Sequence, residues 1–193
     1  MPLTFEPTSV YLKKETAERH SDVEKTLNPF IANIQSFDDY ALLLKIFYGF
    51  FYPLQKNISQ VLTDADLSDI HDRKLSSFIP EDLHAIGQPV SDLPICQALP
   101  TIVNKAYAFG CLYVLEGSSL GGRVIKKWLQ SNSFISLQDE QISFFDGYKD
   151  QTGAKWKLFL EALNLQEDID NVINGANETF HLFENWINKT PTC

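Results

Sequence analysis

Cysteine, methionine and positive charge are all scarce in this chain. Its 193 residues hold three Cys, one Met, and 16 Lys and Arg against 25 Asp and Glu, a formal net charge of −9. Cys96, Cys111 and Cys193 form no CxxC pair, which removes the zinc-ribbon and disulfide-framework readings. The acidic balance argues against partners that attract basic surfaces, so neither nucleic acid nor anionic membrane is expected. The longest apolar run, Ala106 to Leu115, ends at Glu116 and is too short to cross a bilayer. No secretory-type leader is recognisable, so a reducing, cytoplasmic setting is expected. Convincing β-hairpin signals, internal repeats and linkers are missing too.

What is present is helical periodicity with a large aromatic content, including 14 Phe. From about Thr8 to Leu27, the residues Leu12, Thr16, Val23 and Leu27 share one side of a first helix. Ser36 and Asp39 read as a capping signal for a second. Its stripe is Tyr40, Leu43, Leu44, Phe47, Phe50, Phe51 and Leu54, and Pro53 is expected to kink or end it. Pro80, Gly87, Pro89 and Pro94 break the middle into short helices and loops. A long glycine-interrupted segment follows from Ile102 to Leu129. Trp156, Phe159, Leu160 and Leu163 mark one further helix. Ile169, Val172, Ile173, Ala176, Phe180, Phe183 and Ile187 mark the last. The expectation is a single all-α domain over residues 1–193.

The string Tyr113-Val114-Leu115-Glu116-Gly117-Ser118-Ser119-Leu120-Gly121-Gly122-Arg123 carries the most information. Each glycine inside a helix costs roughly 1 kcal/mol relative to alanine. One reason to accept that cost is a ligand that approaches the backbone too closely for a Cβ atom. Gly117 and Gly121 lie about one turn apart and clear the same face, where a flat ligand and a smaller second one could lie. The alternative is a helix that ends at Gly117 and a loop leading to another. A phosphate loop would need Lys and Ser or Thr where Arg123 and Val124 stand.

His20 sits at the edge of the first helix's apolar face, where a histidine can be structural or functional. Glu24 at i+4 could accept a hydrogen bond from one imidazole nitrogen, which leaves the other for a metal. Lys13 lies two turns earlier on nearly the same side, roughly 10 Å along the axis. It is either a solvated lysine or a cation for the carboxylate of a bound macrocycle. Glu81-x-x-His84 and Glu178-x-x-His181 have the spacing of di-iron carboxylate bundles. In the second pair, Glu178 falls half a turn from the apolar stripe, so it should face solvent. His71 reads as a surface residue.

Taken together, Leu12-Lys13-x-x-Thr16-x-x-x-His20-x-x-x-Glu24 and Tyr113-Val114-Leu115-Glu116-Gly117-Ser118-x-Leu120-Gly121-Gly122 resemble the haem oxygenase family, in particular its bacterial biliverdin-producing branch. The similarity runs from about residue 8 to residue 188. It implies a helical bundle that holds haem b between a proximal helix and a kinked distal helix. His20 would be the iron ligand, supported by Glu24. Lys13 and Tyr113 would contact propionates, and Gly117, Gly121 and Gly122 would line the distal side. Haem would be cofactor and substrate at once, opened with O2 and an external electron donor to biliverdin, iron and carbon monoxide. Animal members carry aspartate where this chain has Ser118. Ser118, Ser119 and ordered water are therefore the expected proton path. Arg123, Lys126 and Lys127 are candidates for propionate contact or for docking a reductase or ferredoxin. Lys157, with Glu161 one turn on, is a poorer one. The alternatives are a haem- or bilin-binding protein without turnover, and a di-iron oxidase on the same fold.

Overall fold

A computed structural model describes residues 6–190, and among them every regular element is a helix. In chain order these are α1 (Thr8–Glu15), α2 (Ala17–Ala32), α3 (Phe37–Ile58), α4 (Phe78–Ala85), α5 (Lys105–Ser131), α6 (Ser143–Asp146), α7 (Thr152–Leu163) and α8 (Ile169–Asn188), with short 3-10 turns between them. None is long and apolar enough to cross a membrane.

The expected first helix is two, broken at Thr16, whose φ of −106° and ψ of 0° depart from helical values. Leu12, Thr16, Val23 and Leu27 are all buried, so the predicted face holds across the break. Ser36 caps α3 by accepting from the Asp39 amide at 3.2 Å. All seven residues of the predicted α3 stripe are buried.

Pro53 does not end that helix, which continues to Ile58. Proline has no N–H for the carbonyl four residues back, which leaves the Gly49 oxygen free. The Cys96 amide donates to it at 2.8 Å. Gly49 has no Cβ, and one would lie 2.5 Å from Trp186 Cζ2 and 2.7 Å from the Pro94 oxygen. Trp186 Nε1 in turn donates to the Ile46 carbonyl at 2.9 Å. The loop before α5 and the end of α8 are thus both seated on the middle of α3.

The central packing is α5 against α8. At their crossing, a Cβ on Gly110 would run into the Val172 carbonyl, and one on Gly175 into the Tyr107 carbonyl. Two backbones are therefore in direct contact. The Cys111 thiol donates to the Gly175 carbonyl at 3.6 Å, and burial raises its pKa to about 12. Helix α2 packs on another part of α8, which places the predicted proximal segment and the glycine helix around one shared support.

Candidate functional site

Helix α5 is one unbroken helix of 27 residues, so the reading of a helix end at Gly117 is set aside. Its two faces differ sharply around the glycines. Successive α-helical residues are turned by about 100°. Glu116, Ser119, Gly122 and Lys126 therefore fall on one side, and Gly117, Leu120, Gly121 and Val124 on the other.

The first side is gripped by the strap of chain that contains α6. A Cβ on Gly122 would lie 3.0 Å from the Phe145 carbonyl oxygen. Lys126 Nζ reaches Asp146 at 2.9 Å and Asp139 at 3.7 Å. The position a Cβ would take on Gly147, where φ is +62°, is 3.3 Å from Ser119 Cβ. Tyr148 Oη donates to Glu116 Oε1 at 2.9 Å. Four consecutive residues, Phe145 to Tyr148, each engage a different position of α5. Gly122 thus faces the strap rather than the open side of α5, and its missing side chain makes room for protein backbone. Lys126 is likewise committed to α6 and its neighbouring turn.

Glu116 is the centre of a buried charge network. Arg73 Nη1 donates to it at 2.6 Å, Arg73 Nε to Asp69 at 2.7 Å, and Arg73 Nη2 to the Lys155 carbonyl at 2.8 Å. Lys155 Nζ closes the ring on Asp69 at 2.8 Å. Burial pushes the Glu116 carboxyl up, while Arg73 and Tyr148 favour its charged form. Tyr148 is pushed up by burial and by the Glu116 charge. Because Arg73 is almost wholly enclosed, removing it would leave a charge with no water to turn to. Nothing in the local sequence announces this, since Arg73 lies in an irregular segment 43 residues from Glu116.

The opposite side of α5 is uncovered. Beyond the helix's own neighbouring backbone, no described atom lies within 4 Å of a Cβ placed on Gly117 or on Gly121. Leu120 is 38% exposed and Val124 70%, so the strip is apolar and open. Ser118 and Ser119 donate their hydroxyls to Leu115 and Glu116 carbonyls at 2.6 and 2.7 Å. Arg123 and Lys127 are exposed and make no ion pair among the described residues.

On α2, the His20 side chain is 58% exposed, and its ring centroid is 5.5 Å from that of Phe180 on α8. Its Nε2 is 3.6 Å from Glu24 Oε1, a loose contact rather than a hydrogen bond. Among the described residues, both ring nitrogens are therefore free of strong partners. Lys13 is exposed and unpaired among the described residues. Tyr113 lies on α5 with its ring 5.8 Å from Trp156 of α7. Burial raises its hydroxyl pKa, and Thr16 nearby works the other way. Lys157 is held loosely by Glu161 at 3.9 Å on the surface.

Glu81, His84, Glu178 and His181 are all exposed. His181 meets Asn185 at 3.1 Å, and His71 lies 3.7 Å from Asp64. Among the described residues, no three His, Cys, Asp or Glu side chains converge to hold a metal ion. Two shallow cavities lie away from the glycine strip. One of about 280 Å³ is lined by Tyr52, Gln55 and Arg73, and one of about 390 Å³ by Arg19, Tyr107 and Asn177.

Comparison with known proteins gives this geometry a context. The family model described as "Heme oxygenase" matches residues 6–189. A protein of Xanthomonas campestris pv. campestris (strain 8004) named "Heme oxygenase" is 33% identical over 126 residues, 65% of this chain and 72% of that one. Among solved structures, NO- and CO-bound heme oxygenase from Neisseria meningitidis superposes with a TM-score of 0.79 at 21% identity, covering 96% of this chain and 92% of the other. Heme oxygenase 2 from Chlamydomonas reinhardtii, solved without heme, gives 0.75 at 18% identity, covering 96% and 98%. At those identities the two structures speak for the fold alone.

Proposed function

Since the chain belongs to the haem oxygenase family, we propose that it opens haem to biliverdin, iron and carbon monoxide, with His20 as the iron ligand. The observation that carries this reading is the uncovered apolar strip of Gly117, Leu120, Gly121 and Val124 on a helix held firmly from behind.

The residues present fit the group. A flat, largely apolar ring can lie close to a helix at Gly117 and Gly121, where Cβ atoms are missing, and His20 offers an accessible imidazole with no strong competing partner among the described residues. Bound haem supplies both the iron that activates dioxygen and the porphyrin that is opened. His20 would hold the iron from α2, and Glu24 would orient the imidazole if their 3.6 Å contact closed to a hydrogen bond. Lys13 and the Tyr113 hydroxyl would bind the propionates. Gly117 and Gly121, which carry no Cβ atoms, would leave room beside the backbone for a small ligand on the haem. Ser118 can pass a proton only by releasing the Leu115 carbonyl, because its hydroxyl is engaged there. Arg123 and Lys127, one turn apart on the surface, suit the acidic face of an external reductase or ferredoxin. A cytoplasmic setting fits the free, buried thiols of Cys96 and Cys111.

The engaged Ser118 hydroxyl also favours a second reading, a haem or bilin carrier that does not turn over. Titration of ferric haem into wild type and His20→Ala, followed by ascorbate in air, tests both. The expected result is a saturable one-to-one complex that decays to a bilin, with affinity or axial-ligand spectrum altered about tenfold or more by the substitution. A complex that reduces without decay supports the carrier. An unchanged spectrum and affinity in His20→Ala would remove the ligand assignment.

A further inference from the structure

One buried carboxylate plays no part in the scheme above. Asp82 of α4 has no exposed surface. It accepts from the Ser143 amide at Oδ1 and from the Phe144 amide at Oδ2, both at 2.8 Å. An ionised carboxylate is a costly group to enclose unless its oxygens are satisfied. Here both oxygens are used, and on adjacent amides at the start of α6. An asparagine could accept only one of the two bonds.

The position of those amides gives the arrangement its interest. The residues that follow, Phe145 to Tyr148, are the strap that touches α5 at Gly122, Lys126, Ser119 and Glu116. Asp82 fixes one end of the strap, and the Tyr40 hydroxyl secures the approach to it by donating to the Gln141 carbonyl at 2.8 Å. The strap contacts the back of the very turns whose front is the open glycine strip. A strap displaced by a few tenths of an ångström would move the Gly122 backbone with it, since there is no side chain between them to absorb the shift.

We infer that Asp82 is a positioning residue for the distal strip: by anchoring the strap behind α5 it sets where the Gly117–Gly121 backbone stands. The consequence for chemistry rests on the haem reading above; the mechanical coupling does not. Asp82 touches no substrate and acts entirely through α6.

The test uses Asp82→Asn, which preserves shape, beside Asp82→Ala, first without haem. Amide hydrogen exchange of Ser143 and Phe144 should accelerate about tenfold in Asp82→Asn, and the amides of Gly117, Gly121 and Gly122 should accelerate with them. In the haem complex, the ratio of bilin isomers should change while haem affinity stays within about threefold, an outcome that general loss of stability does not produce. Acceleration confined to Ser143 and Phe144 would reduce Asp82 to a local cap and overturn the inference, as would an unchanged isomer ratio. Should Asp82→Ala fail to fold, Asp82→Asn still decides the matter. Should neither protein bind haem, the functional reading falls, while exchange at the glycines still answers whether the strap and the strip are coupled.

Discussion

Helix α5 uses glycine in two opposite ways. At Gly110 the missing side chain is replaced by another helix, whose Val172 carbonyl and Ala176 nitrogen fill the space. At Gly117 and Gly121 it is replaced by nothing. The first pattern makes contact inside the fold, and the second holds a place for something from outside it. The two are indistinguishable as letters in a sequence, and only the contacts behind each position separate them.

Substitution should break this contrast most visibly at the crossing. Gly110→Ala or Gly175→Ala forces two backbones apart, and a loss of about 3 kcal/mol or more is expected in chemical denaturation. A loss under about 1 kcal/mol would show that the helices can slide to accommodate a methyl group.

The network behind the glycine strip comes next. Arg73→Leu strands Glu116 in the interior at an expected cost of about 3–5 kcal/mol at neutral pH. Burial already favours the protonated carboxyl, and loss of Arg73 favours it further. The variant's deficit should therefore be greatest at high pH and shrink as pH falls through the raised Glu116 pKa. A deficit independent of pH would show that the charge was never isolated.

Gly121→Ala carries the opposite sign. In open space on a helix, alanine should stabilise the haem-free protein by about 0.5–1 kcal/mol. The same methyl group should weaken haem binding or slow its turnover, and Gly121→Leu should abolish turnover. Stabilisation together with normal turnover would show that the open strip is not where haem lies.

The last effect is confined to acidic pH and belongs to Asp82. Burial raises the Asp82 pKa from 3.8 to about 6, with the neighbouring Glu81 charge adding to it; Tyr40 of α3 also faces the carboxyl. Its folded form binds the proton more tightly than the unfolded chain does. The associated stability is complete below about 4 and is lost as pH rises through about 6, with a slope no steeper than ~1.4 kcal/mol per pH unit. Asp39, Asp66 and Asp69 are shifted downward and act in the other direction, so the difference between wild type and Asp82→Asn isolates the effect. A flat difference curve from pH 4 to 7 would mean that water reaches the site.

The helices were legible because burial imprints a period on each of them, as the seven buried residues of the α3 stripe show. His20 and the glycines were legible as a pattern, yet their surroundings were not. Pro53 reads as an ending because the orphaned Gly49 carbonyl has no local partner, and its true partner is the Cys96 amide. Gly122 reads like Gly121, because the strap that separates them arrives from residue 145 onward. Glu116 gives no sign of Arg73 or Tyr148 for the same reason. What escaped the sequence in each case was a contact between segments distant along the chain.

The α5–α8 crossing also bears on how the chain reaches its folded state. The Cys111–Gly175 hydrogen bond closes a span of 64 residues, so bringing the two helices together carries a substantial loop-closure entropy. A side-chain interface can begin to form at a distance and tighten later. Touching backbones gain little until the helices are fully docked and in register. Formation of this contact should therefore lie on the native side of the folding barrier, and substitutions at Gly110 or Gly175 should accelerate unfolding more than they slow folding. The residues that bring the ligand helix closest to its support would then be the last to lock and the first to let go.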